Sequence, residues 1–548
     1  MMIKDEIAIL LERAAIEAQR RNLLPPMAMP EILLERPQNP EHGDYASTLP
    51  LKLARAARMN PLEIAQTLVN LIQLPKEIES IAVAPPGFVN FSMKSDWLTA
   101  QVEEIITLGE EYGNLDLGKG AKVQVEFVSV NPTGPLHVGH GRGAILGSTL
   151  ANVLASSGYE VVKEYYINDA GSQMDAFYRS LCARYQQALG RDAPMPSEGY
   201  FGDYMIDIAD EIVAEEGENF LAAPAELGRI GMAKVIDSIK SDLELLGVSF
   251  DVWFSEKSLF ENGQYDRAMA LLKEKGYTGE KEGAVWFSST TLGEDKDNVL
   301  VRSDGSPTYF ATDIAYHYNK FIERGFSRVI NIWGADHQGH VSRMKAVISA
   351  LGIDPERLQI IISQMVTLRR GDAVLRASKR TGEMITLREL VEEVGPDACR
   401  FFFLSRSADS QMDFDLELAK RQSAENPVYY VQYAHARISS ILRLAEDRGI
   451  DYRGGDVSLL TSEPELTLIR KMLQLPEVTE MAACDLEPHH LSYYALDMAT
   501  ILHNFYEKCR VISQDEALTA ARLKLVEAAQ IVLAKALHLM GMAAPERM

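Results

Sequence analysis

The sequence predicts an α/β protein built on an open parallel sheet, with a small α+β domain before the sheet and a helical bundle after it. Three observations carry that prediction. First, Val123–Gly158 reads as strand, glycine loop and helix. VQVEFVSV is a β-branched run bounded by charge, and AILGSTLANVLASSG repeats apolar residues at helical spacing (Ile145, Leu146, Leu150, Val153, Leu154) until Gly158. Second, further apolar runs follow at YEVVKEYYI, RVINIW and LQIII, and polar loops at the ends of such strands face the ligand crevice of an open sheet. Third, the chain beyond residue 411 is mostly helical, and Leu518, Leu525, Val532 and Leu539 recur every seven residues, as bundle cores do.

Length and charge narrow the function. A chain of 548 residues allows three or four domains and several cores. Its formal charge of −23 argues against indiscriminate nucleic-acid binding and leaves RNA binding to local basic patches. Cys182, Cys399, Cys484 and Cys509 show no C-x-x-C spacing and read as reduced thiols, so a cytoplasmic protein is expected. No run reaches the ~18 apolar residues of a membrane span. The opening MMIKDEIAILLERAAIEAQ carries acids inside its apolar pattern, unlike a signal or transit peptide.

Residues 1–110 form the first unit. Ile7, Leu10, Leu11, Ala14 and Ala18 make one helix stripe, and IAVAPPGFVNFSM reads as strand, turn and strand. The parallel-sheet domain spans 111–365, within which 175–300 reads as insertions without chemistry. Asp169 and Gln173 read as candidate caps for a following helix. SDGSPTYFATDI is a polar turn and a helix that sets Tyr309 and Asp313 four apart on one face. A carboxylate beside a phenol suits a guanidinium, whose planar donors match a carboxylate in bidentate geometry. Gly334–Gln338 is a strand-end loop, and His337 and His340 read as a hydrogen-bonded loop pair. A junction, 366–410, holds the basic string Arg376–Arg380 and a capping box at Thr386-x-x-Glu389. In the final unit, 411–548, a second capping box at Ser513-x-x-Glu516 is expected to open the last helix.

The loop between strand and first helix is the centre of the chain. It holds Gly134, Gly139, Gly141 and Gly143, two prolines and two histidines, and a helix N-terminus behind such a loop binds phosphate. His137 and His140, three apart, can project from one side, and Glu126 and Asn131 flank the strand end. Gly139, Gly141 and Ala144 also satisfy G-x-G-x-x-A with Glu160 downstream, which would suit an NAD-dependent dehydrogenase. That reading leaves Asn131–Pro135 and the histidines unexplained. A metal pair is the other alternative, but no further ligands follow at zinc spacing, so no protein metal site is expected.

LHVGH at 136–140 resembles the HIGH signature of class I aminoacyl-tRNA synthetases. The longer VSVNPTGPLHVGHGRGAILGSTLANVL is similar to one family among them, the arginyl-tRNA synthetases. EHGDYAS, PPGFVNF, VGPDACRFFF and the closing APERM extend the likeness over nearly the whole chain, and the ending is expected to be complete. Arg376-Ala377-Ser378-Lys379-Arg380 resembles the second class I signature, KMSKS, with Arg376 and Ala377 replacing its first two residues.

The resemblance implies a Rossmann-type catalytic domain that ligates L-arginine to tRNA(Arg) through an arginyl-adenylate. The partners would be ATP, arginine and tRNA, with Mg2+ held by the substrate phosphates, no protein-bound zinc, and a monomeric enzyme. It gives catalytic roles to His137, His140, Arg376 and Lys379. ATP would meet Gly139, Gly141, Gly334, Asp336 and Ser378, and arginine would meet Glu126, Asn131, His137, Tyr309, Asp313 and Gln338. It also implies that bound tRNA precedes amino-acid activation, that 366–410 contacts the tRNA stem and that 411–548 reads the anticodon. The first domain either meets the tRNA elbow or serves packing. Another class I specificity, a dehydrogenase and a non-catalytic tRNA-binding paralogue stay open.

Overall fold

The structure is a computed structural model and describes residues 2–37, 39–375 and 385–548. Five strands make its central sheet: β1 (Lys122–Glu126), β2 (Glu160–Ile167), β3 (Val252–Ser255), β4 (Arg328–Gly334) and β5 (Leu358–Ser363). All neighbours pair in parallel, in the order β5–β4–β1–β2–β3. The strand order reverses at β1, so a crevice opens beyond the carboxyl ends of β1 and β4.

β1 ends earlier than its β-branched pattern predicts. Val128 and Ser129 adopt φ of +68° and +43°. The left-handed region is strained for a β-branched residue. The turn is held where the Tyr166 backbone N–H donates to Ser129 Oγ at 3.1 Å. Strain of this kind gathers at functional sites, and here it throws the chain off the sheet at the crevice.

Helix α1 (Val138–Ser156) returns the chain to β2, and Gly158 ends the connection with φ +82°. A Cβ on Gly147 would lie 2.1 Å from the Phe127 ring, so glycine there lets α1 seat directly on the sheet. Helix α2 (Tyr309–Tyr318) runs into a π-helical turn, Asn319–Glu323. Leu146 and Leu150 of α1 share a cavity with Ile332 of β4. Its neighbour Asn331, pointing the other way by strand alternation, contacts Lys320 and His317. The two helices therefore cover opposite faces of the sheet.

The stretch 175–300, read from sequence as insertions, contributes β3 to the sheet. Its four residues are too short for a periodic signal, and their seat is set by tertiary contacts such as the Tyr165–Trp253 stack at 4.4 Å. The remainder forms five helices (Ser172–Ala188, Tyr204–Glu216, Pro224–Leu245, Lys257–Glu261 and Gln264–Glu274) and a small antiparallel sheet. Asp169 caps neither of the positions expected for it near Gln173. It accepts from Ser255 Oγ at 2.6 Å and from the Lys257 backbone at 3.0 Å.

The first domain packs two helices, Leu49–Ala57 and Pro61–Leu71, on a four-stranded antiparallel sheet and lays the helix Ile3–Arg20 against the second of them, burying Ile7, Leu11, Ala14 and Ala18. It docks on the C-terminal bundle through Tyr45 and Arg36, which meet Glu477 at 2.7 and 2.8 Å, and through Asp44 with Arg470 at 2.7 Å. In the bundle, Leu525, Val532 and Leu539 are buried as their spacing predicts. The last helix, Glu516–Leu539, is capped by Asp515, which accepts from the Leu518 backbone at 3.0 Å, and not by Ser513. Asp515 stands immediately before the first helical residue, and Ser513 instead binds the Asp515 backbone at 3.2 Å. The expected box at Thr386 and Glu389 is present.

Two buried arginines join these parts. Arg400 donates to the carbonyls of Leu246 (2.7 Å), Gly247 (3.0 Å) and Met540 (2.9 Å) and to Ser148 Oγ (3.2 Å). It thereby ties α1, the insertion and the end of the bundle together. Arg142, in the first turns of α1, donates to the carbonyls of Gln364, Ser407 and Ser410 at 2.7–2.8 Å. Among the described residues no helix is long and apolar enough to cross a membrane.

Candidate active site

His137 is the N-cap of α1, and His140 is the third residue inside it. Their spacing is that of a capping box built from imidazoles. His137 Nδ1 accepts from the Gly139 backbone at 3.1 Å, and His140 Nδ1 accepts from the His137 backbone at 3.2 Å. The rings stack with centroids 3.4 Å apart. Burial lowers the pKa of His137, and burial with the neighbouring ring pulls His140 down to about 3. Both rings are therefore neutral at pH 7. With Nδ1 accepting, each carries its proton on Nε2. The pair can offer two preorganised N–H donors to an oxyanion, and their geometry is that of donors, not of metal ligands.

The glycines behave differently from a dinucleotide loop. α1 begins at Val138, so Gly139, Gly141 and Gly143 lie inside the helix and not in the turn before it. Gly139 is exposed at the crevice. Gly141 is buried, and a Cβ there would meet Leu387 at 2.6 Å; its place is in helix packing. The G-x-G-x-x-A spacing thus does not form the nicotinamide-binding turn it suggested.

Across the sheet on the α2 side, Asn331, Glu126 and Glu164 stand in one register row of β4, β1 and β2. α2 and its π turn cover that row. Lys320 Nζ donates to Glu126 at 2.5 Å and to Asn331 Oδ1 at 3.0 Å, and lies 4.0 Å from the Tyr316 ring centroid. Tyr316 donates to Glu164 at 2.6 Å. His317, held neutral by burial and Lys320, joins Asn331 at 3.0 Å to the Asp313 carbonyl at 2.8 Å. Glu256 stands beside the Tyr166 and Thr312 hydroxyls, which offset part of the rise that burial gives its pKa.

Asp313 is the exception in this network. Its carboxylate has no hydrogen-bond partner among the described residues. Burial first, then the carboxylates of Glu126 and Glu256, push its pKa up to about 7, against the pull of Lys320. The site thus lacks one cation. Tyr309 is half exposed on the same helix, its hydroxyl 3.3 Å from where a Gly171 Cβ would stand. Asn131 donates to Gln173, the residue beside that turn. The loop bearing the imidazoles and the helix bearing Asp313 therefore border one crevice.

Other residues named from sequence fall elsewhere. Gln338 is exposed and lines a cavity of about 390 Å3 with Leu146, Leu150 and Ile332, on the α1 side of the sheet, apart from Asp313. Gly334 ends β4, and Asp336 is exposed in the following turn, where His337 and His340 lie 6.0 Å apart. Arg376, Ser378 and Lys379 lie outside the described residues. Lys320, His317, Glu164 and Glu256 were not singled out by sequence. Only the lysine's place one helical face on from Asp313, seven residues away, could have pointed to it.

Three family models match the chain: the arginyl tRNA synthetase N terminal domain over 2–93, the class I (R) tRNA synthetase catalytic domain over 101–426, and the DALR anticodon binding domain over 431–548. An arginine–tRNA ligase of Dehalococcoides mccartyi is 58% identical over 553 residues, spanning 100% of this chain and 99% of the relative. One of Carboxydothermus hydrogenoformans is 51% identical over 554 residues, with the same coverage. The solved arginyl-tRNA synthetase of Thermus thermophilus shares the fold, with a TM-score of 0.81 at 23% identity over the whole of both chains. With sequence likeness at this level running from end to end, the chain belongs to the arginyl-tRNA synthetases, a family of class I aminoacyl-tRNA synthetases.

Proposed function

We propose that the crevice beyond β1 and β4 activates L-arginine with ATP and delivers it to tRNA(Arg). The chain is an arginine–tRNA ligase by family. The observation that supports this reading is the Asp313 carboxylate, unpartnered among the described residues, beside Glu126 and below Tyr309. A guanidinium supplies the missing cation and the planar donors a carboxylate accepts. Citrulline would leave Asp313 without a counter-charge, and lysine would lack the fork.

In the reaction, the arginine carboxylate attacks the α-phosphate of ATP and pyrophosphate leaves. A ribose hydroxyl of the tRNA terminus, by class expectation the 2′, then attacks the acyl carbon and AMP leaves. Chemistry of this kind needs alignment and charge stabilisation more than a covalent protein group. The Nε2–H donors of His137 and His140 suit the α-phosphate oxygens, with Gly139 exposed beside them. Arg376, Ser378 and Lys379 would neutralise the leaving pyrophosphate. Gly334 and Asp336 border the nucleotide side, and Asn131 completes the arginine set, while Gln338 lines the cavity on the other face of the sheet. Mg2+ enters with the ATP phosphates, and we assign no zinc. We also take the enzyme as a cytoplasmic monomer. Its domain 1–110 would meet the tRNA elbow, 366–410 the stem and 411–548 the anticodon.

The test is Asp313→Ala in arginine-dependent ATP–pyrophosphate exchange with tRNA present. Removing one partner of a buried ion pair costs about 3–5 kcal/mol. The arginine KM should rise a hundredfold or more, with the ATP KM little changed. An unaltered arginine KM would remove Asp313 from the pocket.

A further inference from the structure

We infer that Lys320 is a positioning and specificity residue for arginine: its ammonium fills one of two cation places in the pocket, holds Glu126 aimed at the substrate, and leaves vacant a single place. This rests on the reading that arginine binds at Asp313. Four carboxylates gather here: Glu164 is paired with Arg324 at 2.5 Å, and Glu126, Asp313 and Glu256 share the one further described cation, Lys320. Glu256 has the Tyr166 and Thr312 hydroxyls beside it. Glu126 gives one oxygen to Lys320, and its second oxygen is not sealed off from the crevice. Asp313 alone of the three has neither a counter-charge nor a hydroxyl partner among the described residues.

Stability does not explain the pair. Lys320 is 0% exposed. Burying an ion pair typically returns little net stability compared with apolar side chains of the same volume. Lys320 also sits on the π-helical turn that follows α2, and such turns occur often at functional sites. Its three donors are arranged by Glu126, Asn331 and the face of Tyr316. Asn331 is in turn fixed by His317. The ammonium cannot swing away to greet a second anion. It is a permanent internal counter-ion, and it makes the pocket demand one positive charge from the substrate and not two.

Without Lys320, Glu126 and Asp313 would both lack a partner, and the buried site would take up protons or admit a second cation. Arginine would then meet a carboxyl pair neither charged nor aimed correctly. Lys320→Ala and Lys320→Met should each raise the arginine KM at least tenfold while the ATP KM stays within twofold. n-Propylammonium, which replaces the missing side-chain atoms in Lys320→Ala, should lower the arginine KM again, whereas 1-propanol should not. A merely structural role would not respond to the charge of the additive. In the Glu126→Gln background, Lys320→Met should add less than twofold, because the two act as one unit. That double variant removes both charges of the Glu126–Lys320 pair together, so it gives a folded comparison if the single variants do not fold.

An unchanged arginine KM in folded Lys320→Met, rescue by the alcohol as well as the amine, or additive effects with Glu126→Gln would each overturn the inference. Asp313→Ala separates the two levels. If it leaves the arginine KM unaltered, the pocket itself is misplaced. If it raises the KM and Lys320→Met does not, only the role of Lys320 fails.

Discussion

Arg400 and Asp313 are both ionic groups withdrawn from solvent, Arg400 buried where it joins the domains behind α1 and Asp313 half-buried where it lines the crevice under α2. The protein completes one and leaves the other open. Arg400 faces no carboxylate, yet its guanidinium meets three backbone carbonyls and a serine hydroxyl. Burial lowers its pKa to about 10, so it stays charged at pH 7. Asp313 stands among other acids with no donor aimed at it among the described residues, and its pKa rises to about 7. A finished network holds parts together, and an unfinished one specifies what must arrive. The contrast separates cement from binding site by hydrogen-bond accounting alone.

The largest test of this contrast outside the pocket lies at the imidazoles, which are finished toward the backbone and open toward the substrate. Losing one preorganised donor typically costs about 3–4 kcal/mol. His140→Ala should lower kcat in pyrophosphate exchange by a hundred- to a thousandfold, and Lys379→Ala by a similar factor. Near-normal exchange in either would take that residue off the path.

Arg400→Met should act on the other side of the comparison. It strands three carbonyls, each worth about 1–3 kcal/mol when buried and unpaired. We expect a loss of roughly 3 kcal/mol or more in denaturant unfolding, with the arginine KM of the folded fraction unchanged. A selective rise in that KM would blur the distinction drawn here.

The smallest effect is one of pH. In the empty site Asp313 holds a proton below about pH 7. A guanidinium binds the deprotonated form, so arginine must displace that proton at lower pH. The arginine KM should be flat above pH 7 and rise about tenfold per unit below it. Asp313→Asn, which cannot titrate, should show a weak but level dependence across the same range.

Much of this was legible in the chain itself. By pattern, His137 and His140 fall in a loop ahead of a helix from Ala144, whereas the helix starts at Val138; the local cause lay in their spacing, two rings closing a capping box three residues apart. Tyr309 and Asp313 were legible for the same reason, sharing a helix face. Lys320 was not, because in YHYNKF it looks like any surface lysine, and its burial depends on Glu126, 194 residues away. β3 escaped notice for a related reason, since four residues gain their strand from the neighbour they pair with. Asp515 displaced Ser513 as cap because adjacent candidates compete and only the backbone decides. Gly141 was assigned to a ligand because glycine spacing does not say which side of the helix is covered.

Gly147 has a wider consequence. Because Phe127 occupies the space a side chain there would need, the helix bearing the imidazoles interlocks with the strand end beside the amino-acid pocket. Sliding one past the other would drive a ring into main chain or open a hole the size of a phenyl group. The spacing between the two substrates is thus set when the protein folds. Any adjustment that an arriving RNA brings about must be made by pieces around this fixed pair, and a methyl group at position 147 would be enough to spoil the alignment without touching either ligand.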